Sequence, residues 1–316
     1  MTRILTRADV QAVLTLEDCL AAVEEAFRAF GEGHMAPAKS LGFHAATGTF
    51  HIKAAMADVF AAKINANFPH NPSAHALPTI QGVIVVMDME LGTPLAIVDS
   101  SLITTLRTAA ATAIAAKYLA LEDAETITVV GCGTQGRASL ESLRLVRPIR
   151  KAYAYDRSEV AALHFAEEMN AHPVTSLERA IADSDIVVTC TTARAPILDA
   201  SHLHPGLFIA AVGADNPDKQ ELAPAVLRDS RVVVDILEQA ATMGDLHHAL
   251  DAGAVTRGDV HGELADVICG RVRGRERDDE IFVFDSTGTA LQDVAVASLV
   301  YTRASERGAG IAIDFA

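Results

Sequence analysis

Six residues, Gly131-Cys132-Gly133-Thr134-Gln135-Gly136, stand directly after the apolar run TITVV and directly before a stretch with helical periodicity. Glycine at the first position permits a tight turn, at the second it lets backbone approach a pyrophosphate, and at the last it lets a helix pack closely on a strand. The helix start that follows offers N–H groups and the positive end of its dipole to phosphate. Alone the hexapeptide is a weak signal. The next apolar run, KAYAY, ends at Asp156. An acid about 20 residues downstream of the glycines is placed to grip the ribose hydroxyls of a dinucleotide. The glycines could merely make a turn, and Asp156 merely begin one. With strand, glycines, helix, strand and acid in that order, the pattern predicts NAD binding. Asp156 would repel a 2′-phosphate, which disfavours NADP, while the adjacent Arg157 works the other way.

A second set of charges lies outside that motif. Lys39, Lys53 and Lys63 stand in short apolar runs of an acidic chain, and Arg107 interrupts LRTAAATAIAAKYLA, which is otherwise almost uncharged. A lysine inside such a strand either points to solvent or meets a ligand. A guanidinium in such a helix needs a carboxylate or phosphate partner. Asp215, in AVGADNPDKQEL, follows the apolar run LFIAAVG. Ligands bind at the carboxyl ends of the strands of a parallel sheet, so Asp215 is placed for chemistry, or else it caps the next helix.

These residues need elements to position them. LEDCLAAVEEAFRAF has helical spacing with Thr15 as its N-cap, and Gly31 and Gly33 end it. SLGFHAAT, TFHIKAAMA and FAAKINANF read as strands, and GVIVVMDMELGTPLAIVDS as a hairpin about Glu90–Thr93. SLITTLRTAAATAIAAKYLA reads as a helix. From residue 121 short buried strands alternate with helices through DIVVTCT, LFIAAVG, RVVVD and IFVFDS, the mark of a parallel sheet with right-handed crossovers. TALQDVAVASLVYTRASER closes the chain as a long helix. The fold expected is therefore α/β, with one domain over 1–120, a Rossmann dinucleotide-binding domain over 121–289, and a final helix, 290–316, returning to the first.

Composition narrows the partners. A formal charge of −15 over 316 residues opposes a nucleic-acid or anionic-membrane surface, though local basic residues can still hold a small anion. The four cysteines form no CxxC pair and no histidines cluster at ligand spacing, so no metal is expected. His247-His248 is read as structural, because adjacent helical residues point to different faces. The start, MTRILTRADV, is too short in its apolar run and too early interrupted by Asp9 to read as a signal peptide. No stretch reads as a membrane span, since Lys117 breaks the Ala-rich run after Arg107. The cytoplasm is the expected compartment.

Seven ordered segments, KINANFPHNPSAHALPTIQG, LRTAAATAIAAKYLA, GCGTQG, AVGADNPDKQEL, VVVDILEQA, GEL and FDSTGTALQDVAVA, resemble the ornithine cyclodeaminase/mu-crystallin family, most in the manner of archaeal-type alanine dehydrogenases and imine-reducing members. The resemblance implies a homodimer in which the first domain and last helix bind substrate and dimerise beside the Rossmann domain. It implies that Lys39, Lys63 and Arg107 hold a substrate carboxylate and that Asp215 is catalytic, with Lys219 the basic residue four positions on. It further implies that Thr79, Thr108, Thr134, Gln135 and Ser286 line cofactor or substrate. Ornithine cyclodeaminases resemble one another in a glutamate just before a Met-Pro pair. This chain has Ile52-Lys53-Ala54-Ala55-Met56 there, without either. Lys53 would suit an added acidic group on the substrate, or exchange one carboxylate anchor for another.

The expected activity is NAD-dependent interconversion of a small L-amino acid with its imine or 2-oxo acid. Arg107 with Lys39 or Lys53 would anchor the carboxylate, and Lys63 and Asp215 would share the acid–base work. A cyclodeaminase that returns the hydride and releases ammonia is the alternative, and a non-catalytic NAD- or small-molecule-binding protein a third.

Overall fold

The antiparallel run from Lys39 to Asp99 and the strand–helix alternation from Thr126 onward fold as separate units in the computed structural model, which describes residues 1–315. The units are Met1–Arg107 with Thr289–Ala316, and Thr108–Gly288. The sequence pattern placed all of the helix Ser100–Leu119 in the first unit, up to residue 120. The division instead falls inside that helix, after Arg107, so the buried small residues Ala109–Ala111 and Ala113 belong to the second unit.

The first unit is built on strands Thr2–Leu5 (β1), Lys39–His44 (β2), Thr49–Met56 (β3), Val59–Asn67 (β4), Ile80–Asp88 (β5) and Pro94–Asp99 (β6). They form a seven-stranded sheet in the order Ile311–Ile313, β1, β6, β5, β4, β3, β2. β2 to β6 pair antiparallel with near neighbours, and β1 joins parallel to β6. β1 is only four residues, TRIL, too short to carry a readable period.

Alternation along paired strands gives the sheet two different faces. One carries Lys53, Lys63 and Ile84, directly opposite one another on β3, β4 and β5. The other carries Leu41, Ile52, Ile64 and Val83 in one cross-strand row, with Phe43 and Phe50 in the next. The C-terminal helix Ala290–Arg307 packs on β3, β4 and β5 and on the helix Leu16–Gly31. Thr15 caps the latter helix as expected, reciprocally with Asp18. Asp18 also accepts from Arg303 Nη2 at 2.6 Å, pinning the two helices together.

The second unit contains Thr126–Val130 (β7), Lys151–Tyr155 (β8), His172–Pro173 (β9), Ile186–Thr189 (β10), Arg194–Leu198 (β11), Phe208–Ala211 (β12), Gln220–Leu222 (β13), Arg231–Val234 (β14), Gly262–Glu263 (β15) and Phe282–Asp285 (β16). Eight of them make an all-parallel sheet in the order β15-β14-β16-β12-β10-β7-β8-β9, while β11 and β13 pair separately. The central strands read as continuous apolar runs because both faces are covered. Chain order reverses between β7 and β10, the switch point at which such sheets bind ligands. Among the described residues no helix is long and apolar enough to cross a membrane, and no three His, Cys, Asp or Glu side chains are grouped to hold a metal.

Candidate active site

In the first unit the sheet face under the C-terminal helix gathers charge. Lys63 on β4 is 3% exposed, and its Nζ lies 2.8 Å from Oδ1 and 2.7 Å from Oδ2 of Asp293 on that helix. Arg107, also buried, donates through Nε to Asp293 Oδ1 at 3.1 Å and through Nη1 to Gln292 Oε1 at 2.7 Å. One carboxylate thus sits between two buried cations. Burial would raise the Asp293 carboxyl, but the Lys63 and Arg107 charges outweigh it and hold it below the usual carboxylate range. Lys63 is shifted as well. Burial is the largest influence, and the Arg107 and Lys53 charges add to it, so that despite Asp293 its pKa falls to about 7.

Lys53 stands directly across the β3–β4 ladder from Lys63, half-buried, and its charge acts on both Lys63 and Asp293. Like charges directly opposite in a ladder are unfavourable, so the pair marks a place where local stability yields to another requirement. Lys39 is not brought to this group. It is exposed on the edge strand opposite Ala54, so the pleat turns its side chain to the other sheet face. Thr79 lies half-buried at the start of β5, its carbonyl accepting the Phe68 N–H at 2.8 Å.

In the second unit the glycines behave as their spacing predicts. Gly131 has φ +104°, and a Cβ there would lie 2.8 Å from the Cys190 carbonyl oxygen. A Cβ on Gly136 would lie 2.3 Å from the Gly131 carbonyl oxygen, so the helix Thr134–Val146 meets the strand end without room for a methyl group. At Gly133, its N-cap, a Cβ would touch nothing within 4 Å. That open space, beside the exposed Thr134 at the N-terminus of a 13-residue helix, fits a pyrophosphate. Gln135 is half-buried and donates to Ser139 Oγ at 3.4 Å. Asp156 accepts the N–H groups of Cys132 and Ser158, each at 2.9 Å, which ties the acid at the end of β8 to the glycine turn after β7.

Asp215 follows β12 and accepts from Lys219 Nζ at 2.7 Å, with its side chain 44% exposed. Asp215 and Lys219 therefore form a half-open ion pair at a strand carboxyl end. Ser286, after β16, is buried, and among the described residues its hydroxyl has no hydrogen-bond partner. Thr108 is buried within its helix, and its carbonyl accepts from the Thr112 hydroxyl at 3.0 Å. His248 Nε2 meets the Lys219 carbonyl at 2.9 Å, and His247 lies 3.6 Å from Asp251, so the doublet's two rings do engage different partners.

With this arrangement in view, the chain matches the ornithine cyclodeaminase/mu-crystallin family over residues 1–308. It belongs to that family. An alanine dehydrogenase of Archaeoglobus fulgidus is 39% identical over 320 residues, spanning 99% of this chain and 98% of the relative. An archaeal alanine dehydrogenase dimer with bound NAD has the same fold at TM-score 0.96 and 38% identity, covering 100% of this chain and 99% of its own. The Δ1-pyrroline-2-carboxylate reductase of Thermococcus litoralis, in complex with NADH and L-proline, matches at TM-score 0.93 and 30% identity, covering 98% of this chain and 100% of its own. This member of the family shares both units with these relatives.

Three residues of consequence escaped the sequence reading. Asp293 and Gln292 sit in ALQDVAVA, where Asp293, like Arg107, is a charge within a run of small apolar residues. Glu221 is fully buried on β13. Within NPDKQEL it stands among other polar residues, and nothing in its spacing separates it from them.

Proposed function

We propose that this chain is an NAD-dependent oxidoreductase that interconverts a small L-amino acid and its imine or 2-oxo acid. Lys53, directly across the ladder from Lys63 and acting on the Lys63–Asp293 pair, carries the reading. Such a group attracts a carboxylate and repels the second ammonium of a diamine, which disfavours ornithine cyclisation. The alanine dehydrogenase and pyrroline-carboxylate reductase among its relatives support the same chemistry. When bound, NAD supplies the hydride acceptor. Arg107 grips the substrate carboxylate and orients Cα, a positional contribution to rate. The substrate arrives as an ammonium, and the lowered pKa of Lys63 suits it to take that proton. Asp215, with Lys219, serves the imine proton or the water that hydrolyses it.

The deciding assay incubates the enzyme with ornithine and catalytic NAD, then measures proline and ammonia while following NADH absorbance. A parallel screen supplies NAD with amino acids and NADH with 2-oxo acids plus ammonia or with cyclic imines. Net NADH turnover in the screen is expected. Stoichiometric proline and ammonia without NADH accumulation would instead identify a cyclodeaminase.

Cofactor choice follows from Asp156. Asp156→Asn removes the charge that repels a 2′-phosphate and weakens charge-assisted bonds worth about 1.5–3 kcal/mol to the ribose hydroxyls. The ratio of NAD to NADP efficiency should fall about tenfold or more. An unchanged ratio would remove Asp156 from the ribose site.

A homodimer belongs to the same proposal. Leu41, Phe43 and Phe50 are 59%, 52% and 40% exposed on the sheet face that Ile52, Ile64 and Val83 continue, opposite the face bearing Lys63. A contiguous apolar face of this kind marks an interaction surface, and closed two-fold assembly makes a second copy its simplest cover. Phe43→Asp should shift the protein from dimer to monomer by light scattering at micromolar concentration. A wild-type monomer, or a variant that stays dimeric, would count against this face.

A further inference from the structure

Buried carboxylates at the carboxyl ends of the parallel strands take no part in the chemistry above. Glu221 is the most connected. Its Oε1 accepts the Thr191 N–H at 2.6 Å, and its Oε2 accepts the Gly213 N–H at 2.8 Å and the Thr189 hydroxyl at 2.7 Å. Thr189 ends β10 and Gly213 follows β12, so one carboxylate bridges the loops leaving two adjacent strands. The first loop walls the dinucleotide turn, because a Cβ on Gly131 would lie 3.1 Å from Thr191 Cγ2 as well as against Cys190. The second carries Asp215, whose own N–H returns to the Gly213 carbonyl at 3.1 Å. Gly213 admits no side chain, since a Cβ there would lie 2.5 Å from Glu221 Cδ.

Glu221 is held in turn from behind. Asp245 Oδ1 accepts the N–H groups of Glu221 and Leu222, both at 2.8 Å. Asp285, at the end of β16, accepts the Leu246 N–H at 2.8 Å and so fixes the helix that begins beside Asp245. A buried carboxylate is costly unless fully bonded, and three donors on Glu221 meet that condition.

We propose that Glu221 is the positioning residue that holds the Asp215 loop in register with the dinucleotide turn, with Asp245 and Asp285 holding its strand. The proposal rests on Asp215 acting in the reaction. Glutamine at 221 keeps the volume but has one acceptor oxygen, so its NH2 must face either the Thr191 or the Gly213 N–H, and one loop loses its anchor.

The test compares full-length wild type, Glu221→Gln, Thr189→Val, Asp215→Asn and the Glu221→Gln/Asp215→Asn double variant. It measures kcat and KM for the amino acid, and amide hydrogen exchange over 190–193 and 212–216. Misplacing a reacting group by about 1 Å costs about 100-fold. Glu221→Gln should therefore lower kcat about 30- to 100-fold with KM changed less than about threefold, and speed exchange over 212–216. In the double variant the two losses should not multiply, because Glu221 works through Asp215. A folded Glu221→Gln enzyme with wild-type kcat and exchange would overturn the proposal, as would fully multiplying losses. If Glu221→Gln does not fold, Thr189→Val, which removes the hydroxyl that holds Glu221 Oε2, should lower kcat and speed exchange over 212–216 in the same direction, and no change in either would overturn the proposal. If Asp215→Asn alone keeps wild-type kcat, the catalytic reading of Asp215 fails. Exchange over 212–216 then decides alone: acceleration upholds the anchoring role of Glu221, and no change overturns it.

Discussion

Asp293→Ala is expected to cost about 3–5 kcal/mol of stability, the usual penalty for removing one partner of a buried ion pair. The carboxylate lies between Lys63 and Arg107, all three almost wholly buried, so its loss leaves two cations without their common counter-charge. The two cations then respond differently. Lys63 can shed its proton, because burial has already brought its pKa to about 7 and Asp293 is what raises it. Arg107 cannot deprotonate in a protein, so most of the penalty falls on the guanidinium, which keeps Gln292 as its acceptor. Lys63→Met should consequently cost less than Asp293→Ala, since it leaves the Arg107–Asp293 pair intact. Denaturant unfolding of the three proteins measures both differences. A loss below about 1 kcal/mol for Asp293→Ala would mean that water or a rearranged side chain replaces the carboxylate, and would place the cluster at the surface energetically.

The division between what was legible and what was not follows the range of the interactions. The dinucleotide turn could be read because each glycine answers a local demand, a positive φ at Gly131, open space at Gly133, close helix packing at Gly136. The strand–helix alternation after residue 121 and the meander before it could be read for the same reason, each element being set by a period within a dozen residues. Arg107 stood out because its surroundings were uncharged. Its partner Asp293 is 186 residues away, and Lys63 is 230 residues from the same carboxylate. No local pattern announces a pairing over that distance. Lys39 shows the converse failure. The family resemblance implied that it holds a carboxylate with Lys63 and Arg107, yet the side to which a strand residue points depends on the turn joining β2 to β3, and the observed register sets it opposite Ala54 on the face away from Lys63. The division into compact units falls about a dozen residues before residue 120, inside a continuous helix that gives no compositional sign of changing the unit to which it belongs.

The second large effect concerns Lys63 and pH. If its neutral amine takes the proton from the substrate ammonium, kcat/KM for amino-acid oxidation should rise about tenfold per pH unit below about 7 and level off above it, because only the deprotonated side chain accepts a proton. Lys63→Met should lose about 100- to 10,000-fold in kcat and lose that inflection with it. Asp293→Asn should move the inflection downward, since the Asp293 charge is the main influence that raises Lys63 against burial and against Arg107 and Lys53. The same depressed pKa appears in stability with a fixed sign. The unfolded chain keeps the lysine proton up to its ordinary 10.5, whereas the folded chain releases it near 7. Between those values the unfolded state binds more protons, so this residue makes stability increase as pH rises from about 7 to 10.5, and replacing it with Met should flatten that increase. Activity and unfolding therefore report one group through two independent measurements. An activity inflection near 10, or one that survives in Lys63→Met, would assign the proton to another group, and Asp215 would be the next to change.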